Sequence, residues 1–415
     1  MTQAPPSLEF IPDPERRDAL WARLAGHLEH AFAQSSEARA RMERAGLTPG
    51  DVRSPEDFAR IPPLRKKDLK AVQASGPRLG GLSTVDLGRL RRLYQSPGPL
   101  YDPEGREPDF WGWTEAFRAA GFEAGDLAVM TFSYHLTPAG HMLEEPLREL
   151  GCAVVPAGPG NTEILTELLA SLPVTAFVGM ASFLRALGEK ARAAGLDPAR
   201  DLSVRKAFVA AERLPESLRR EVQEMFGARV RQGYGTADVG AIAYECDALE
   251  GMHCSSRGWV EVCDPATGEP LPPGEMGEVV FTPFVRAYPL VRLATGDLSR
   301  LVEAPCPCGR TSPRLAGILG RADDTVKIKG QFVYPAQAAE ALAAFPGVVA
   351  WRLVATNPGG RDCLTLVYEA SADVDEAALT EAFRLRCKLR PVLERAQAGT
   401  IDTALPRLED RRTWD

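Results

Sequence analysis

The chain has 415 residues, 45% hydrophobic and 25% charged, with a net charge of −7. That length exceeds one ordinary domain, and the apolar share is ample for a sizeable core. The acid excess argues against a nucleic-acid binder, which needs a basic face, and no run nears the roughly 18 apolar residues of a membrane span.

The opening MTQAPPSLEF lacks the basic start and apolar stretch of a signal peptide, so a cytoplasmic location is expected. Eight cysteines in that compartment point away from a disulfide framework. Residues 14–46 have the pattern of an amphipathic helix, with Leu20, Leu24, Leu28 and Phe32 at spacings of four. Ser54 followed by Pro55 predicts a helix start. Residues 61–69 (IPPLRKKDL) predict a proline-marked turn leading into a short helix.

From about residue 110, short apolar runs at 126–132, 152–156, 176–179 and 206–210 alternate with helical patterns at 141–150, 163–171 and 216–226. Such alternation implies βαβ units and a mostly parallel sheet. Beyond residue 250 the texture changes to short strands between Gly/Pro turns, at 258–264, 277–282 and 298–303. Helical patterns at 336–344 and 375–390 with strands at 348–356 and 363–369 suggest a small α+β domain. The expected class is therefore α/β. A large N-terminal domain (1–322) carries mostly parallel sheets and a β-rich part at about 245–320, and a small C-terminal α+β domain covers 323–415.

Cys246, His253, Cys306 and Cys308 together make a closed tetrahedral set of the kind that holds structural zinc. Cys254 competes with His253 as the fourth ligand, and free buried cysteines are the alternative reading. Cys152, Cys263, Cys363 and Cys387 read as small core residues.

Four separated segments carry further chemistry. They are VAAERLP at 209–215, QGYGTAD at 232–238, ATGDL at 294–298, and GRADDTVKIKG at 320–330 followed by Val333-Tyr334-Pro335. In this order and spacing they resemble the adenylate-forming enzymes. With CPCGRT at 306–311, they resemble above all the phenylacetate–CoA ligases, from about residue 55 to 400.

The resemblance implies ATP, Mg2+ and CoA as cofactors, a small carboxylic acid as substrate, and a homodimer. It assigns Asp297 to the ribose hydroxyls, which a carboxylate accepts as a pair. Arg321 becomes a cationic fork for ribose or phosphate oxygens. Tyr234 and Gly235 wall the adenine beside Ala211 and Glu212, glycine allowing close approach of backbone to ligand. Thr236 meets the α-phosphate, and Asp238 stands where relatives hold magnesium through a glutamate. Asp323 and Asp324 resemble an interdomain hinge, and Lys329 and Gly330 the lining of the pantetheine path. Tyr134, in the segment 132–140, faces the acyl group with Ala211 and Gly235 as small neighbours.

Two departures from the family pattern are visible. The phosphate-wrapping loop is replaced by YQSPGPLYD at 94–102, where two prolines remove backbone donors and no lysine occurs. Ser96 and Gly98 are its remaining phosphate-loop residues. The C-terminal glycine–lysine pair of relatives has no counterpart in LPRLEDRRTWD. The only lysine after Lys329 is Lys388, in a helical pattern, which leaves Arg411 and Arg412 as cations. The expected activity is ATP-dependent acid–CoA ligation of an aryl or similar apolar carboxylate. Adenylation with a non-CoA acceptor, and AMP or acyl-AMP binding without turnover, are the alternatives.

Overall fold

The computed structural model describes residues 8–96, 100–322, 326–328, 331–358, 362–387 and 389–412. Gly98, Asp323, Asp324, Lys329, Gly330 and Lys388 lie outside the described residues. The chain divides into a larger unit, residues 1–295 and 299–318, and a smaller one, residues 296–298 and 319–415.

A nine-stranded sheet organises the larger unit. Five strands run parallel in the order Ala153–Pro156, Leu127–Met130, Ala176–Gly179, Lys206–Val209, Arg229–Thr236. Their connections are the helices Ala139–Glu149, Thr162–Ser171, Ala181–Ala193 and Glu216–Phe226. Central strands buried on both faces read as unbroken apolar runs, which is why AFVG and AFV are so uniform. Phe177 and Phe208 are completely buried there.

After Thr236 the sheet continues antiparallel through Gly240–Glu245 and Met252–Cys254 to two short strands, Arg314–Leu315 and Leu301–Val302. A second sheet contains Leu64–Arg65, Leu293–Ser299, Gly277–Pro283 and Gly258–Cys263. Residues 296–298 of Leu293–Ser299 belong to the smaller unit, where Asp297 and Leu298 pair with Arg321 and Gly320.

The helix expected over 14–46 is two helices, Asp13–Gln34 and Ser36–Arg44. Ser35 breaks it by adopting an extended backbone and capping the second helix, its Oγ accepting from Ala38 N at 3.2 Å. The same hydroxyl donates to the Gly81 carbonyl at 2.8 Å, so a tertiary bond reinforces the break. Ser54 caps Pro55–Ala59 as its position suggested, accepting from Asp57 N at 3.2 Å.

The proline turn that follows is held by buried cations. Arg41 donates to the Pro62 carbonyl at 2.9 Å and to the Val291 carbonyl at 2.8 Å. Arg292, fully buried and paired with Glu261 at 3.1 Å, donates to the carbonyls of Ala59 and Ile61. An irregular buried segment needs such donors, because its carbonyls have no ladder partner. Leu64 then pairs with Leu293, and the helix Lys66–Ala74 starts at a fixed point.

In the smaller unit, Val348–Thr356 and Cys363–Ala370 form an antiparallel pair flanked by Leu408–Asp410 and Val392–Arg395. The helices Pro335–Leu342 and Glu376–Cys387 cover it, with Leu353, Leu366, Leu379 and Phe383 completely buried. No helix among the described residues is long and apolar enough to cross a membrane.

Candidate active site

Three segments of the larger unit meet where the strand Arg229–Thr236 ends. Tyr234 is buried and donates its hydroxyl to Thr295 Oγ1 at 3.2 Å. Gly235 must be glycine, since a Cβ there would run into the Gly240 carbonyl and the Trp113 ring. Thr236 donates from Oγ1 to Asp238 Oδ2 at 3.1 Å. That same carboxylate oxygen receives Lys66 Nζ, from the first residue of its helix, at 2.7 Å. Asp238 is buried while Lys66 is about one-third exposed, so the ammonium is the solvent-facing member.

The third segment is the hairpin formed by Arg92–Ser96 and Leu100–Glu104, in which Tyr94 faces Asp102. Asp102 is 1% exposed, and no donor among the described residues makes a well-formed hydrogen bond to its carboxylate, although the Ser96 hydroxyl and amide lie nearby. Asp238 Oδ1 is likewise buried and without a partner there. Burial first, then the neighbouring Asp238, push the Asp102 carboxyl up to about 7, with Ser96 and Lys66 pulling the other way. Gln73 braces the hairpin beside it, donating to the Tyr101 carbonyl at 2.7 Å and to Tyr288 Oη at 2.9 Å. Two buried carboxylates facing one ammonium leave an excess of negative charge in a poorly solvated place. That arrangement is stable only with an added proton or a cation.

Lys66 and Asp102 are the residues that sequence reasoning missed. The loop at 94–102 contains no lysine, but the turn-and-helix at 61–69 supplies one. Two adjacent prolines leading into a lysine-rich helix start were the available signal. Asp102 was read only as part of an altered loop. Its pairing opposite Tyr94, which buries it, is fixed by the hairpin register.

Other expected residues are dispersed. Ala211 has φ +68°, a left-handed conformation that costs a non-glycine residue about 1–3 kcal/mol and is seldom kept without a local reason. The Glu212 carboxylate is engaged at the start of the helix Ala181–Ala193, accepting Ser182 N and Ser182 Oγ, each at 2.7 Å. Its backbone carbonyl accepts Gln232 Nε2 at 3.0 Å. Tyr134 is half-buried, donates to Glu144 at 2.6 Å and meets the His141 ring edge-on at 4.9 Å. Burial and Glu144 raise its phenol well above the ordinary range, so it stays protonated.

In the smaller unit Asp297 and Arg321 stand opposite each other in register and form an ion pair of 2.6 Å. Gly296, at φ +80°, leaves the space that the Arg321 guanidinium occupies. Arg411 and Arg412 are taken up by ion pairs with Glu409 and with Asp410 and Asp362.

Cys246, His253, Cys306 and Cys308 converge in the larger unit, with all four ligand atoms within 4.8 Å of one another. Cys246 Sγ and Cys306 Sγ are 3.6 Å apart, and Cys308 Sγ lies 3.3 Å from His253 Nε2. Cys254, the alternative to His253, is buried outside this group. His253 Nδ1 is 3.0 Å from Ser312 Oγ, and Arg310 N donates to Cys308 Sγ at 3.5 Å. Arg310 is itself fixed by Glu9 at 2.8 Å.

Residues 119–283 match the AMP-binding enzyme family. Over 384 residues the chain is 32% identical to the phenylacetate–coenzyme A ligase of Thermus thermophilus, covering 88% of this chain and 84% of that one. The Escherichia coli phenylacetate–coenzyme A ligase is 28% identical over 381 residues, 88% and 84% of the two chains. The chain belongs to the phenylacetate–coenzyme A ligase family. It is thereby placed among acid–CoA ligases that work through an adenylate. A crystal structure of 2-hydroxyisobutyryl-CoA ligase, in an open conformation with 2-HIB-AMP and CoA, matches with a TM-score of 0.86 at 26% identity. That match covers 98% of this chain and 96% of the other. Family membership makes the Lys66–Asp238 contact and the buried Asp102 oxygens the features to explain.

Proposed function

We propose that this chain is an ATP-dependent ligase that activates an aryl or similarly apolar carboxylate as its acyl-adenylate and passes the acyl group to CoA. The observation that carries the reading is the meeting of Lys66, Asp102 and Asp238 beside Thr236. In the first half-reaction the carboxylate oxygen attacks the α-phosphorus and pyrophosphate leaves. In the second the CoA thiolate attacks the acyl carbon and AMP leaves.

Three carboxylate oxygens of Asp102 and Asp238 lie buried without a well-formed hydrogen bond among the described residues, which suits a hard divalent cation bound through oxygen. Those two residues would hold magnesium, which supplies neutralisation of phosphate charge when bound. Lys66 is a point charge suited to phosphate oxygens. It offers the ammonium that the loop at 94–102 lacks, and Ser96 and Gly98 are assigned to the phosphates with it. Thr236 supplies a donor to the α-phosphate, and Tyr234 with Gly235 a flat wall for adenine beside the backbone of Ala211 and Glu212.

The role of Asp297 and Arg321 is recognition of ribose, with Arg321 holding the carboxylate until the hydroxyls arrive. Tyr134, Ala211 and Gly235 are assigned to the acyl group. Lys329 and Gly330, in the smaller domain at 323–415, are assigned to the pantetheine path. Cys246, His253, Cys306 and Cys308 would hold a structural zinc, a set whose spacing and bonded outer partners suit a closed tetrahedral site. A cytoplasmic homodimer completes the reading, supported by the family resemblance and by the need for ATP and CoA.

Hydroxylamine trapping with ATP, magnesium and a panel of aryl and alkyl carboxylic acids tests it, because the hydroxamate reports the adenylate without an acceptor. At least one acid should give hydroxamate, and CoA should divert it to thioester. AMP binding without hydroxamate from any acid would refute the proposal.

A further inference from the structure

We infer that the larger unit carries a second small-molecule site, in which Arg16 binds the carboxylate of an apolar monocarboxylic acid. A cavity of about 700 Å³ lies between the helix Asp13–Gln34, the strand Gly258–Cys263 and the segment 301–313. That volume is typical of a ligand pocket, and the cavity shares no residue with the Lys66–Asp102–Asp238 cluster.

Arg16 lines the cavity and is 3% exposed, its Nε is buried without a hydrogen-bond partner, and no carboxylate forms an ion pair with it among the described residues. The other charges of the wall are spoken for. Arg17 faces Asp13 at 3.9 Å, Arg310 is paired with Glu9 at 2.8 Å, and Glu261 with Arg292 at 3.1 Å. Glu303 is exposed at the rim. Among the described residues Arg16 is therefore the cation of the wall without a carboxylate partner, and a ligand carboxylate would supply one.

The guanidinium fork fits a carboxylate bidentately. The surrounding Leu20, Trp259, Val262, Leu271 and Leu301 suit an apolar body. A single buried cation with Asp13 and Glu303 nearby disfavours a doubly charged phosphate, so a monoanion is the better match.

Octanoate, octanamide and inorganic phosphate serve as probes of the full-length protein, read by tryptophan fluorescence because Trp259 lines the cavity. Octanoate should give a saturable change that Trp259→Phe removes. Octanamide should bind about tenfold or more weakly, and phosphate should give no response. Arg16→Leu should lose the octanoate response, while its own ligand-free melting temperature rises by a few degrees, since an unmatched buried charge has gone. Ala304→Trp, which keeps Arg16 but fills the mouth, should lose the response too.

The inference is overturned if Arg16→Leu binds octanoate like the unaltered chain or melts lower. Equal binding of octanamide or phosphate would also overturn it. So would a change from dimer to monomer by sedimentation in Ala304→Trp, which would assign the cavity to a second copy.

Discussion

The cysteine–histidine cluster and the Lys66–Asp102–Asp238 cluster both gather buried polar groups from distant segments of the larger unit, but they are finished to different degrees. Around the first, the outer contacts are in place: Ser312 meets His253, Arg310 N meets Cys308, and Glu9 fixes Arg310. The candidate ligands are soft and number four, the complement that a closed metal site would need. Around the second, three carboxylate oxygens make no well-formed hydrogen bond among the described residues and the lysine is partly exposed. These oxygens are hard and too few to enclose a cation, so on the proposed function phosphate oxygens or water would supply the rest. On the proposed function, the completed outer shell belongs to a structural site and the open one to the place where substrate enters.

That contrast can be broken at four points. Asp238→Asn removes the carboxylate that joins Lys66 to Thr236. It should lower hydroxamate formation by about 10²–10³-fold, equivalent to about 3–4 kcal/mol, with little change in melting temperature. A large loss of stability with intact catalysis would reverse the roles of the two clusters. Cys306→Ser should do the opposite. Zinc by elemental analysis should fall from about one equivalent per chain to near zero, and stability by about 3 kcal/mol or more. A zinc content near zero in the unaltered chain would remove the closed site from the account.

Asp102 gives a pH signature. Its carboxyl is raised to about 7 in the folded chain from an ordinary value near 4. The folded state thus holds the proton more tightly than the unfolded one. The stabilising contribution is present below about pH 4 and is lost as pH rises through 7. In magnesium-free buffer the unaltered chain should melt lower at pH 8 than at pH 5.5. Asp102→Asn should flatten that difference and melt several degrees higher at pH 8. An unchanged slope would mean that Asp102 does not titrate there.

The smallest effect belongs to Glu212→Ala, which deletes two bonds to Ser182 at a helix start. It should cost about 1–2 kcal/mol of stability by chemical denaturation. Nucleotide affinity should move little if only the backbone of residue 212 faces the ligand.

Much of the fold was legible because the apolar runs at 176–179 and 206–210 leave few options for a sheet buried on both faces. The break at Ser35 was not, because one hydroxyl both caps a helix and reaches Gly81, a contact 46 residues away. The convergence of Cys246, His253, Cys306 and Cys308 was readable because cysteine is rare and its chemistry narrow. Lys66 was not, because its partner is 172 residues distant and two buried arginines set its position. Local sequence shows a lysine at a helix start, and only the pinned proline turn shows where it points.

The most direct test of the account is pyrophosphate–ATP exchange with phenylacetate and related acids, comparing Lys66→Ala with the unaltered chain. Exchange in the unaltered chain is predicted, with a loss of about 10²-fold or more in the variant. Thioester formation from presynthesised phenylacetyl-AMP and CoA should stay within a few-fold. Absence of exchange in the unaltered chain with every acid, or an equal fall in both half-reactions, would contradict the role given to Lys66 in adenylation.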